Sequence, residues 1–270
     1  MTLLLGALVV TLSSCTRIKE DRSDCPCILT LEFSQVPQRV KDQGIMVYVT
    51  DRDGNLVVDQ TFTSEDYDKG SESVSVKVPK GDVQIAALGG WSAITSSANS
   101  MSVNLPSGNE ADSLFLHTRK MACLGETALD RVDVHKQWCT LTLVIEGVSP
   151  GFDYDYALSG NWSGLALSDF SPIAGDFLCK ARQIDYGILQ VRIPRQGDSS
   201  LTLGLSQTET RGDGSTSNCS IPIGEMVSQT GYDWSKTDLE DLTITIDYSL
   251  QSGTFTVVGW TDGGRDDKVI

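Results

Sequence analysis

Basic charge, histidine and long apolar runs are all scarce in this chain. Only 21 Lys and Arg stand against 36 Asp and Glu, a net charge of −15. Such a chain repels phosphate backbones, which argues against nucleic acid as a partner. The two histidines, His117 and His135, lie in strand-like or linker stretches with no nucleophile at a recognisable spacing. Carboxylate pairs such as Asp153 and Asp155 are too generic to mark acid–base chemistry. The expectation is a protein that is not an enzyme and carries no cofactor. A metal is disfavoured as well, because Cys25-Pro26-Cys27 has neither a matching second cysteine pair nor a nearby histidine and makes a poor zinc pattern. Beyond the N-terminus no stretch approaches the roughly 18 apolar residues of a spanning helix, so the body reads as water-soluble.

What is present begins at residue 3. Leu3 to Leu12 run almost wholly apolar, and a helix of that length covers about 15 Å, half of a bilayer core. That fits the core of a signal peptide and not a membrane span. No Lys or Arg precedes it, as the n-region of a signal peptide requires. A signal peptide cut elsewhere, or a start further upstream, therefore stays open. Leu12-Ser13-Ser14-Cys15 resembles the lipobox of bacterial lipoproteins, in which small residues admit the peptidase and the Cys thiol takes a diacylglycerol. On that reading residues 1–14 are a lipoprotein signal peptide, Cys15 is the lipidated first residue of the mature chain, and 15–24 form a charged tether. Acyl chains such as palmitate, at ~0.8 kcal/mol per buried CH₂, hold a protein on a membrane without any spanning helix. Lys19-Glu20-Asp21 is similar to a short signal that sends some lipoproteins to the outer face of the outer membrane.

The chain has seven cysteines, and the count becomes even once Cys15 carries lipid. Cys25, Cys27, Cys123, Cys139, Cys179 and Cys219 remain as disulfide candidates for an exported protein. Six cysteines allow 15 connectivities, which sequence alone leaves open. At least one bridge is expected to tie Cys25 or Cys27 to the folded body.

The body is patterned for strands. Cys27 to Phe33 alternates with period two, as do Ser73 to Val78 and Leu242 to Tyr248. Ile45 to Thr50 and Leu56 to Asp59 flank Asp51-Arg52-Asp53-Gly54-Asn55, whose Asp-Gly and Gly-Asn steps supply the positive φ of a hairpin turn. A calcium loop is the rival reading of Asp51, Asp53 and Asn55, but the later ligands and closing Glu are missing. Val83 to Leu88 forms a further strand, and Ser92 to Asn104 reads as an exposed polar loop. Trp138 to Ile145 opens a second set, continued by Tyr154 to Leu158, Leu189 to Ile193, Ser200 to Leu205 and Thr254 to Trp260. Pro222 to Gln229 is the one helical piece. Short strands bounded by turn residues predict an all-β chain of two sandwiches in series, an N-terminal domain over 25–127 and a C-terminal domain over 128–270, with Gly125 to Asp130 as the link.

Several of these features together resemble the FimB-like anchor subunits of type V fimbriae: the lipobox Cys15, Ser23-Asp24-Cys25-Pro26-Cys27, the hairpin Val47 to Leu56, Gly160-Asn161-Trp162-Ser163-Gly164, Pro172 to Phe177, and the closing Ile244 to Tyr248 with Val257 to Trp260. The resemblance implies two tandem transthyretin-like β-sandwich domains in an outer-membrane lipoprotein exposed at the cell surface. It also implies that the protein seats a fimbria, with fimbrial structural subunits as partners and the outer membrane held through lipid. The neighbouring subunit would join by β-strand addition across a sheet edge, for which Phe255 to Trp260 is the first candidate. The alternatives are a glycan-binding surface lipoprotein and a fimbrial tip adhesin, either of which would meet a host or glycan ligand. Trp91, Trp162 and Trp260 at strand ends could form a sugar platform, although sandwich-core packing is the commoner role. Arg211-Gly212-Asp213 is an adhesion-type tripeptide that would equally serve a hairpin tip. Asp112-Ser113-Leu114 matches an O-glycosylation pattern, with Ser113 as the acceptor.

Overall fold

The computed structural model describes residues 25–67, 70–92, 97–148, 152–209, 216–247 and 257–263. Cys15, the tether and Arg211-Gly212-Asp213 lie outside the described residues. The chain is all-β, arranged as tandem sandwiches.

The first sandwich starts at β1 (Cys27–Glu32), where the period-two pattern turns Cys27, Leu29 and Leu31 fully inward. A one-turn helix α1 (Gln38–Lys41) leads to the hairpin of β2 (Ile45–Asp51) and β3 (Leu56–Phe62). Its turn is closed by Asp51, whose carboxylate accepts the backbone N–H groups of Asp53 and Asn55 and the Asn55 side-chain amide, each at 2.9 Å. Gly54 supplies the positive φ of +83°. The acidic loop is thus a turn whose central carboxylate is occupied by its own neighbours. Next come β4 (Ser73–Val78), β5 (Gly81–Gly89), the short pair β6 (Ser97–Ala98) and β7 (Ser102–Asn104), β8 (Phe115–Cys123), β9 (Thr127–Arg131) and β10 (His135–Lys136). One sheet has the order β4-β1-β9 and the other β10-β8-β5-β2-β3. β1 runs antiparallel to β4 and parallel to β9. The stretch read as a link between domains is therefore largely strand, and β9 and β10 carry residues 127–136 into the first sandwich, past the division drawn at 127/128.

The second sandwich contains β11 (Trp138–Glu146), β12 (Phe152–Ala166), β13 (Pro172–Lys180), β14 (Arg182–Asp185), β15 (Ile188–Pro194), β16 (Thr202–Glu209), β17 (Thr216–Ile221), α2 (Ile223–Gln229), β18 (Asp241–Asp247) and β19 (Val257–Gly263). One sheet runs β14-β15-β11-β18-β19, and the other is built on the long β12, which pairs with β16 and β13. Inward rows match across the first of these sheets: Leu141 lies beside both Val191 and Leu242, and Leu143 beside both Leu189 and Ile244. All six side chains are at most 1% exposed. Each such burial is worth about 1.5–3 kcal/mol relative to exposure.

The two sandwiches are stitched together. The polar stretch Ser92 to Asn104 is not simply an exposed loop: β7 pairs with β12, so a hairpin from the first half of the chain extends a sheet of the second. Val103 is buried there with Leu165 and Leu167 against Tyr48, Ala86, Leu88 and Leu116, which lie on the first sandwich. This second cluster explains why β5 reads as the nearly unbroken apolar run Ile85-Ala86-Ala87-Leu88: both of its faces are covered. Phe115 meets Trp138 edge to face, 5.0 Å between ring centroids, where the chain passes from one sandwich to the other.

Candidate attachment sites

The described chain enters the fold at a central strand. Cys25 is exposed and Cys27, two residues on, is fully buried as the first residue of β1, which lies between β4 and β9. Cys27 lies near Cys123, the last residue of β8, because their strand partners Val78 and Gly81 are joined by the short turn Pro79-Lys80. Burial first, and then neighbouring Cys27, pushes the Cys123 thiol up to about 11. The other cysteines are separate. Burial raises Cys139 to about 12 against the opposing hydrogen bond of the Tyr232 hydroxyl, and it raises Cys179 to about 12. Cys219 is half-buried on β17 and also raised by burial. All six stand as free thiols, so the expected bridge from Cys25 or Cys27 is not formed in the structure. Among the described residues no group of three or more His, Cys, Asp or Glu side chains is placed to hold a metal.

Both histidines fasten strands. His117 is buried on β8, where its Nε2 bonds Asp130 Oδ2 at 2.9 Å and its Nδ1 meets the Asp133 backbone N–H at 3.2 Å. The second oxygen of Asp130 accepts Arg119 Nη1 at 2.8 Å. Asp130 itself is fully buried although it sits on the outer strand β9. An inward charge on an edge strand discourages pairing with another chain, because a slipped register would strand that charge without its partners. His135 bonds Asp238 at 3.0 Å and so ties β10 to the segment before β18. Sequence reasoning missed this use of Asp130, since nothing local distinguishes it from a turn aspartate.

Ser113 lies in the seam between the sandwiches. Its hydroxyl accepts Arg192 Nη1 at 2.9 Å, Arg192 Nε also reaches Glu110 at 3.3 Å, and the Asp112 carboxylate accepts the Ser92 N–H at 3.1 Å. The Asp-Ser-Leu triplet thus has a structural task in holding β15 to the segment before β8. The tryptophans divide similarly. Trp91 packs against the inter-sandwich cluster with its indole nitrogen enclosed. Trp162 also has an enclosed nitrogen, and its ring lies where a Cβ on Gly197 would come within 2.6 Å of it. Both rings are half-buried. The Trp260 side chain lies outside the description, although its backbone pairs with Ile244.

Sheet edges are the remaining candidates for attachment. An exposed strand edge presents unpaired N–H and C=O groups, and proteins usually blunt it with charge, Pro, brevity or bulges. β14 carries Arg182 and Asp185, β3 carries Asp59, β4 carries Lys77, and β9 buries Asp130. β17 is a short Ser/Thr/Asn strand without charge. β19 is different: Val257-Val258-Gly259-Trp260 precedes its first charge at Asp262, and among the described residues only β18 pairs with it. The candidate of sequence reading, Phe255 to Trp260, falls partly on this strand, with Phe255 and Thr256 outside the described residues.

No protein-family model matches the chain, and no curated protein matches it. Solved structures do. A provisionally assigned polysaccharide-binding protein of Bacteroides thetaiotaomicron superposes with a TM-score of 0.59 at 14% identity, over 88% of this chain and 96% of that one. A provisionally assigned adhesin of Bacteroides ovatus gives 0.58 at 13%, over 88% and 96%. The fimbrial anchor protein Mfa2 of Porphyromonas gingivalis gives 0.59 at 12%, over 89% and 98%. At these identities the likeness establishes a shared fold over nearly the full length of each.

Proposed function

We propose that this chain is a lipid-anchored fimbrial subunit, held on the outer membrane through Cys15 and joined to its neighbour by strand addition at β19. The observation that carries the reading is the separation of its two attachments. The tether leads into β1 in the first sandwich, and β19, whose single charge is Asp262 and which among the described residues pairs only with β18, belongs to the second. A fibre base needs such an arrangement, with the membrane gripped by one end of a continuous body and the next subunit by the other. Main-chain hydrogen bonds along an added strand give affinity, and side chains at alternate positions select the partner. The full-length likeness to a protein named as a fimbrial anchor, and to others assigned as adhesins, supports the same reading. A sugar platform built from Trp91 and Trp162 is disfavoured, because both indole nitrogens are enclosed.

Replacing Cys15 tests the membrane half. Cys15→Ala is expected to leave the fold intact and to release fibres into the medium. A proline at a β19 position whose N–H points away from β18 is expected to block joining while leaving lipidation unchanged. Cells of the Cys15→Ala variant that keep all their fibres attached would rule out the anchoring role.

A further inference from the structure

We infer that Cys27 and Cys123 are joined by a disulfide in the exported protein, which bolts the head of β1 to the end of β8 across the first sandwich. The strand registers place the two together. Cys27 pairs with Val78 at the end of β4, only Pro79 and Lys80 separate β4 from β5, and Gly81 at the start of β5 pairs with Cys123. The Ile28 N–H also bonds the carbonyl of Glu126, just past Cys123, at 2.9 Å. Both side chains are fully buried within the same sandwich.

The remaining cysteines are placed elsewhere. Cys179 on β13 and Cys219 on β17 have β12 and β16 between them. At about 4.8 Å per strand they are roughly 14 Å apart, about twice the Cα separation a disulfide can bridge. Cys139 is fully buried on β11 in the second sandwich. Cys25 is exposed, outside the strand.

The chemistry is thiol–disulfide exchange. The thiolate of one cysteine attacks the disulfide of an oxidised thiol–disulfide oxidoreductase or of oxidised glutathione, giving a mixed disulfide. The second cysteine then displaces it. Two thiols lose two protons and two electrons, one S–S bond forms, and the oxidant's disulfide becomes two thiols. Neither thiol is reached by solvent in the folded chain, so the bond closes while the chain folds. A bridge here closes a loop of roughly 100 residues, the long-loop regime in which a cross-link removes most freedom from the unfolded chain.

Its use follows from the tether, and this part rests on the anchoring reading above. Load arriving through residues 15–26 pulls first on Cys27. Without a bridge it would unzip β1 from β4 and β9 one pair at a time, whereas with the bridge it passes to β8 in the opposite sheet.

The test uses full-length protein exported to an oxidising compartment, solubilised and alkylated without reduction. Peptide mapping is expected to find the Cys27 and Cys123 peptides covalently linked. Reductant is expected to lower the wild-type melting temperature by about 10 °C, as loss of a long-loop bridge implies, and to leave a Cys123→Ala variant unmoved. Cys27 and Cys123 both recovered as free thiols, or Cys25 found bridged to Cys123 in place of Cys27, would overturn the assignment. Neither readout involves fibres, so the disulfide can fail while anchoring stands, and anchoring can fail while the disulfide stands.

Discussion

A recurrent use of aspartate in this chain is to close turns. Asp51, Asp66, Asp169, Asp198 and Asp233 are each held below the usual carboxylate range by hydrogen bonds from Asn55, Thr63, Ser171, Ser200 and Ser235 respectively. Three share the spacing Asp-x-Ser, in which the carboxylate accepts the N–H two residues on, at 3.0, 2.8 and 2.8 Å for Asp169, Asp198 and Asp233. A carboxylate whose folded pKa is depressed stabilises the fold fully above its unfolded value, about 3.9 for Asp. That contribution is lost as pH falls through the lower folded value. The urea midpoint is therefore expected to drop between pH 5 and pH 2.5. In the triple variant Asp169→Asn, Asp198→Asn, Asp233→Asn the drop should shrink, while the midpoint at pH 7 changes little because the amide oxygen still accepts the turn N–H. An unchanged pH slope in the triple variant would show that these caps do not govern acid stability.

At the scale of the element, the β6–β7 hairpin decides whether the sandwiches act together. It gives the seam its pairing to β12 and places Val103 in the shared apolar cluster. Replacing residues 97–104 by a Gly/Ser segment removes both the pairing and the buried valine. The expected result is two resolved transitions in calorimetry where the intact chain gives one, with the second sandwich melting first because its sheet has lost a strand. A single transition in the variant would mean that the Phe115–Trp138 contact and the Arg192 bonds couple the halves unaided. This hairpin also marks the limit of what the sequence discloses. β1, β4, β11 and β18 alternate because one face of each is buried, the β2–β3 hairpin is marked by its Asp-Gly-Asn turn, and α2 begins just after Pro222, as its apolar bias implies. Ser97 to Asn104 carries almost no apolar signal, since its strand state comes from a partner some 60 residues away. β9 is hidden for the same reason, being paired in parallel with β1 about 100 residues earlier. The nearness of Cys27 to Cys123 was one of many open pairings until the registers of β4 and β5 placed it.

Across the whole molecule, buried residues of both sandwiches form one continuous core, from Leu29 and Val76 in the first to Ile244 and Leu203 in the second. A body packed in this way would carry load applied at β1 to the far sheet as a single piece, and the weak point becomes the outermost strand. β18 is secured on its inner side by six residue pairs with β11, from Leu141↔Leu242 to Glu146↔Asp247, and by the buried row Leu242, Ile244 and Ile246. β19 adds nothing to that row's attachment to β11, but it covers the hydrogen-bonding edge of β18 from Asp241 to Ile246. A chain ended after Asp247 is therefore expected to keep its far-ultraviolet circular dichroism and to unfold at somewhat lower urea. It is also expected to self-associate with concentration in sedimentation, because the bared β18 edge is a pairing template with charge only at its two ends. If β19 is the docking edge, the same chain should no longer take up the neighbouring subunit. A truncated chain that stays monomeric at high concentration and still binds its neighbour would move the docking edge to another strand, with the uncharged β17 next in order.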